Sequence, residues 1–126
     1  HLVSQDYVHL TPQTYVKTAI NSMVTAQASE AYVLDEKQKF IGKINLHTLL
    51  LKSDDDLVTS SLMAQPVRIK HDASLQQGIE IASEFVGDSI PIVHQDSNKM
   101  LGIISEADLF QAYLTTQNRV IDLEKR

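Results

Sequence analysis

The chain has 126 residues, of which 43% are apolar and 21% charged, and it carries a formal net charge of -5. That suits a single soluble globular domain whose core is aliphatic, since tryptophan is absent and aromatics make up 6%. The missing cysteine excludes disulfides, thiolate metal sites and cysteine nucleophiles, the negative charge opposes binding to nucleic acid or anionic membrane, and no apolar run approaches the ~18 residues of a membrane span.

No signal-peptide pattern is present. The first residue is His1 rather than Met, as expected of a fragment of a larger protein or of a residue left by cloning. A short strand is predicted near 7–10. A helix follows, with Val16, Ala19, Ile20, Met23 and Val24 at helical spacing and Thr14 as N-cap. The segments "AYVL" and "KFIGKI" read as two strands joined by the polar turn "DEKQ", and a helix is predicted from Leu46 to Lys52. The acidic stretch "SDDDL" at 53–57 reads as a solvated connector that caps the next turn. A second strand is predicted near 67–70. Its helix carries Leu75, Ile79, Ala82 and Phe85, with Asp72 or Ser74 as N-cap. "IPIV" and "KMLGII" are again two strands, joined by "HQDSN", and a helix runs from Glu106 to about Gln117. Residues 118–126 form a helical extension; Leu109, Tyr113, Thr116, Val120 and Leu123 make one stripe near heptad spacing, whose last turns are expected to meet a second protomer or a host protein.

The two series of elements are copies. Val8 aligns with Val67, Leu10 with Ile69, Val16 with Leu75 and Ile20 with Ile79. Val33 aligns with Ile92, Gly42 with Gly102, Ile44 with Ile104 and Leu49 with Leu109, and the lead-ins "LVSQD" and "LMAQP" match. A period of about sixty residues is too long for a solenoid repeat and reads as a duplicated half-domain. The boundaries are 2–57 for the first repeat and 58–117 for the second. The fold class is α+β: two pseudo-twofold-related β-α-β-β-α units that bury their exposed sheet faces against each other.

This arrangement, with "IPIV", a turn and then "GIISEAD", resembles a tandem pair of CBS domains, often called a Bateman module. The resemblance covers residues 2 to 115 or so. It implies two interlocked units with two clefts between them, pairing into a homodimer, and an adenine ligand such as AMP, ADP, ATP, adenosine or S-adenosylmethionine. It also implies a regulatory attachment to a transporter, channel or enzyme rather than a catalyst, and a cytoplasmic location, as a free protein or as the cytosolic part of a membrane protein.

Ser105-x-x-Asp108 carries the local chemistry. Before an apolar helical pattern it is close to a capping box, which stabilises by ~0.5–2 kcal/mol with no ligand. The same geometry can serve a ligand. A helix start presents free amides to a phosphate, and a carboxylate one turn in can accept both hydroxyls of a ribose. In the family resembled, a Gly-apolar-apolar-Ser/Thr-x-x-Asp stretch has this role, and Gly102, Ile104, Ser105 and Asp108 match it. The resemblance implies that Asp108 faces Tyr7, Val8, Ala28, Ser29, Ala31 and Tyr32 of the other copy.

The first copy departs from the pattern, with Asn45 at the place of Ser105 and Thr48 at that of Asp108. That implies a degenerate second cleft formed by Asn45, Thr48, Val67, Ser89 and Pro91. "SEAYVL" also lacks the proline that the second copy carries as Pro91, and no Arg or His sits near Ala28. A ligand with one phosphate or none is therefore easier to hold than a triphosphate.

The five histidines (1, 9, 47, 71 and 94) form no His-x-His or helical i, i+4 pair, so no metal site is expected. No nucleophile elbow, phosphate-binding loop or His-Glu-x-x-His is present. The competing reading is a ligandless dimerisation module, for instance of a chloride channel, in which Ser105-x-x-Asp108 is only a cap.

Overall fold

The structure is a computed structural model that describes residues 3–62, 67–83 and 89–124, with side chains as far as residue 115. The first half runs β1 (Val8–Leu10), α1 (Val16–Thr25), β2 (Glu30–Leu34), β3 (Phe40–Asn45) and α2 (Leu46–Leu49). A 3-10 turn at Val58–Ser61 leads into β4 (Ile69–Lys70), α3 (Leu75–Ala82), β5 (Ser89–Val93), β6 (Met100–Ser105) and α4 (Glu106–Glu124). Each half builds a three-stranded sheet, in the orders β1-β2-β3 and β4-β5-β6. The outer pair is parallel and the inner pair antiparallel in both. Two β-α-β-β-α units in one α+β fold are therefore present.

Strand β2 explains how the halves are held. All five of its residues are buried, so it shows no polar face. Ala31 and Val33 point to the helices and join the first core with Val16, Ala19, Met23, Ile44 and Leu49. Tyr32 and Leu34 point the other way and join Phe40, Val93 and Met100 in a core between the two sheets. Strand β5 repeats this division, with Ile90 and Ile92 in the second core and Val93 between the halves. A strand covered on both faces reads as a continuous apolar run because neither face meets water.

The turns β2–β3 and β5–β6 exchange backbone hydrogen bonds. Phe40 N donates to Asn98 O and Met100 N to Gln38 O, each at 2.9 Å. Gln38 and Asn98 stand at equivalent places, with positive φ of 66° and 64°. The duplicated sequence thus produces a near-symmetric clasp.

The chain's start is tied to the opposite half. Ser4 pairs with Ile103, donating to its carbonyl at 2.7 Å and accepting from its amide at 2.9 Å. Gly102 makes room for this segment, since a Cβ there would stand 2.6 Å from Ser4 O and against Val3. Gly42 does the same for the second copy's lead-in, where a Cβ would come within 2.8 Å of Leu62 Cδ2. The glycine shared by both copies serves this close crossing.

Three local expectations differ. Thr14 does not cap α1: the cap position is Tyr15, without a side-chain bond, and Thr14 Oγ1 accepts from Thr11 N instead. Carbonyls of the acidic connector satisfy the helix start, with Val16 N donating to Asp56 O at 2.8 Å and Lys17 N to Asp54 O at 3.3 Å. Helix α2 ends at Leu49, three residues early, because its last turns tighten into i to i+3 bonds at Leu51 and Lys52. Helix α4 continues unbroken past 117. Of the two caps expected for α3, Ser74 holds the position in a full capping box with Gln77. Phe85 lies outside the described residues, as do the side chains of Thr116, Val120 and Leu123.

Candidate functional site

The end of β6 and the start of α4 open onto a cleft of about 370 Å³ between the halves. Ser105 closes the strand, and its Oγ accepts a hydrogen bond from Asp108 N at 3.0 Å. Asp108 lies exposed in the helix's first turn and lines the cleft. The opposite wall comes from the first half: Tyr7 and Val8 at β1, and Ala28 and Ser29 just before β2. Gln27 takes a positive φ of 56°, and Ala28 N returns to Met23 O at 2.8 Å; this turn ends α1 and brings Ala28 and Ser29 to the cleft.

Tyr32 forms the floor. Its ring meets that of Tyr7 edge to face, with centroids 5.5 Å apart and planes at 82°. Such a pair is the preferred arrangement for two ring quadrupoles. Burial pushes the Tyr7 hydroxyl above the usual tyrosine pKa, because the phenolate would lose its hydration. The Tyr32 hydroxyl reaches across the halves to Ser89 Oγ and to Ser89 O, the latter at 3.2 Å.

Of the eight residues expected here, the structure brings seven together: Ser105, Asp108, Tyr7, Val8, Ala28, Ser29 and Tyr32. Ala31 is the exception. It is completely buried in the first core, because its neighbours on β2 take the cleft-facing side. The cleft also contains Ser4, Asp6, Gln27, Glu30, Ser89 and Ile103. Glu30 stands two residues from Tyr32 on the same face of β2, and no local signal shows that this face meets the cleft. Ser4 and Asp6 had only the matched lead-ins as a signal.

The residues expected in the second cleft take these places in the structure. Asn45 caps α2, its Oδ1 accepting from His47 N at 2.8 Å, and Thr48 follows in that helix. Val67 packs on the second core and Pro91 is fully buried. Ser89 lines the first cleft. Beside it lies Lys43, 3% exposed, whose Nζ is 2.7 Å from Glu30 Oε2 and donates to Ser89 O at 2.7 Å. Glu30 Oε1 in turn accepts from Ser89 N at 3.1 Å. Among the described residues no group of three His, Asp or Glu could hold a metal, and no helix is long and apolar enough to cross a membrane.

Comparison with known proteins gives these geometries a context. Residues 58–115 match the CBS domain family. The chain is 27% identical over 111 residues to inosine-5'-monophosphate dehydrogenase of Methanocaldococcus jannaschii, covering 87% of this chain and only 22% of that enzyme's length. Among solved structures it resembles a CBS domain pair/ACT domain protein of Thermotoga maritima, with a TM-score of 0.78, 20% identity, and coverage of 91% of this chain and 94% of that one. It also resembles CBSX2 in complex with AMP, with a TM-score of 0.74, 18% identity, and coverage of 92% and 95%. The cytosolic domain of the Mg2+ channel MgtE in complex with ATP gives a TM-score of 0.78 at 19% identity, over 88% of this chain and 46% of that one.

Proposed function

The chain is a tandem pair of CBS domains, and from that premise we propose that it is a cytosolic regulatory module which binds an adenine nucleotide or nucleoside in the Asp108 cleft and controls an attached transporter, channel or enzyme. One observation carries the reading: Ser105 and Asp108 of one half open onto the same cleft as Tyr7, Val8, Ala28 and Ser29 of the other. A ligand seated there touches both halves at once. Asp108 accepts the two ribose hydroxyls, and the amides and carbonyls around Ala28 and Ser29 read the edge of the base. Binding then shifts the angle between the halves by the ligand's difference in affinity for the two arrangements. The complexes of CBSX2 with AMP and of the MgtE domain with ATP support an adenine ligand. Asn45 and Thr48 offer no carboxylate to a ribose at the equivalent place, which supports one binding cleft per chain. No catalytic role is assigned.

Leu50 and Leu51 after α2, and Phe110 and Leu114 on α4, stay exposed at 59%, 77%, 41% and 53%. These apolar side chains, at related places in the two copies, support pairing with a second copy of the chain.

The test is a thermal-shift screen with AMP, ADP, ATP, adenosine and S-adenosylmethionine. A ligand at a hundred times its Kd adds ~2.7 kcal/mol to stability. Asp108→Ala should abolish the shift. If none of the five ligands raises Tm, the chain is a ligandless interaction module. If Thr48→Ala removes binding and Asp108→Ala does not, the ligand sits in the other cleft.

A further inference from the structure

Resting on the assignment of the Asp108 cleft to an adenine ligand, we infer that this cleft selects a nucleoside with a cationic, phosphate-free 5′ arm, the class of S-adenosylmethionine, over a phosphorylated nucleotide. The lining sets the charge. Among the described residues it includes three carboxylates, Asp6, Glu30 and Asp108, and no lysine, arginine or histidine. Lys43 balances Glu30 from behind at 2.7 Å. Among the described residues, Asp6 and Asp108 enter no ion pair. Among the described residues the cleft therefore presents two carboxylates that no cation pairs with.

The helix start does not reverse that balance. An α-helix N-terminus carries about half a positive charge. The first turn of α4 already holds Glu106 and Asp108, which together outweigh it. The amide of Asp108 is moreover engaged by Ser105 Oγ at 3.0 Å. A phosphate would meet like charge where a helix start usually attracts it. Aromatic rings add a preference of the opposite sign. Tyr7 and Tyr32 both line the cleft, and ring faces attract cations within about 6 Å. Tyr32 already has Lys43 Nζ at 5.9 Å from its centroid. The Tyr7 ring, which also meets the His9 ring at 6.2 Å, has no such cation among the described residues and is the one that would face a sulfonium or ammonium arm.

Both Asp6 and Asp108 are exposed, so salt screens their effect. At low salt each like charge facing a phosphate weakens binding on the order of tenfold. The experiment is calorimetric titration of the intact chain with adenosine, AMP, ATP and S-adenosylmethionine at low and at near-physiological salt. S-adenosylmethionine should bind tighter than adenosine, and AMP on the order of a hundredfold weaker than adenosine at low salt. The AMP gap should close as salt rises, and Asp6→Asn should narrow it several-fold. AMP or ATP binding as tightly as adenosine, or tighter, overturns the charge selection and leaves the adenine reading standing. S-adenosylmethionine binding no tighter than adenosine overturns the cationic arm. Binding of none of the four overturns both readings together.

Discussion

Lys43 Nζ lies 2.7 Å from Glu30 Oε2, and both side chains are buried between the two halves at 4% and 7% exposure. They stand on adjacent strands, β3 and β2, and both also bond Ser89 of the other half, Lys43 at its carbonyl and Glu30 at its amide. This pair therefore fixes how the halves meet. Removing one partner strands a buried charge, which costs about 3–5 kcal/mol, whereas replacing both with apolar groups of similar volume is often neutral. Lys43→Met alone should lower the denaturation midpoint sharply. Adding Glu30→Met should recover most of the loss. Urea denaturation of the two single variants and the double variant measures this; purely additive losses would contradict it.

Glycines at two places should respond oppositely. Gly102, at φ 157°, has Ser4 O and Val3 over its Cα, and a Cβ would need the strap to lift. Gly102→Ala should destabilise by about 2 kcal/mol and raise hydrogen exchange at the Ser4 and Ile103 amides, which now bond each other's carbonyls. Gly78 sits inside α3, and its nearest neighbour to an added Cβ is the flexible end of Leu109 at 3.4 Å. Gly78→Ala should stabilise by about 0.5 kcal/mol through helix propensity. Equal effects at the two sites would contradict the strap's role.

Much of this architecture is legible in the duplicated pattern. Val8 against Val67 and Gly42 against Gly102 place both sheets, because each copy must bury the same sheet face. Ser105 and Asp108 came from a motif whose helix start is local. The misplacements are non-local. Ala31, expected beside Tyr32 in the cleft, faces the first core, because adjacent strand residues face opposite ways and only the sheet packing tells which parity meets the cleft. Ser89, expected at the second cleft, bonds Glu30 and Tyr32 and lines the first. Glu30 and Lys43 look like ordinary surface charges in sequence, since nothing local shows that both face the other half. Thr14 lost its cap to the carbonyl groups of Asp54 and Asp56, about forty residues away.

Ser105 separates the cap from the ligand. Its Oγ holds Asp108 N at 3.0 Å, so Ser105→Ala should lower stability by about 1 kcal/mol whether or not any ligand is present. Ser105→Asn restores an acceptor of the kind that Asn45 supplies to α2 and should recover most of that loss. Differential scanning calorimetry of both variants without ligand checks this. No loss in Ser105→Ala would mean that the hydroxyl contributes nothing to the helix start.

Acid should reach the β2–β3 turn through Asp35. Its Oδ1 accepts from Lys39 N at 2.9 Å and from Lys37 N at 2.8 Å, closing the turn that carries Gln38 at positive φ. The Lys39 amide bond, before the Lys37 bond and the two lysine charges, holds the carboxyl below its ordinary value of 3.8. The native state therefore releases this proton more readily than the unfolded chain. The resulting stability is fully present above about pH 4, declines as pH falls through the unfolded value, and is gone below the lowered native one. The second copy closes the equivalent turn with His94, whose Nδ1 accepts from Asp96 N and Ser97 N at 3.2 and 3.3 Å, so the carboxylate's acid limb belongs to the first half. Asp35→Asn keeps an acceptor oxygen that does not titrate. Urea midpoints measured from pH 6 downward should fall less steeply for Asp35→Asn than for the parent chain. Parallel curves would show that the turn's carboxylate adds nothing to acid sensitivity.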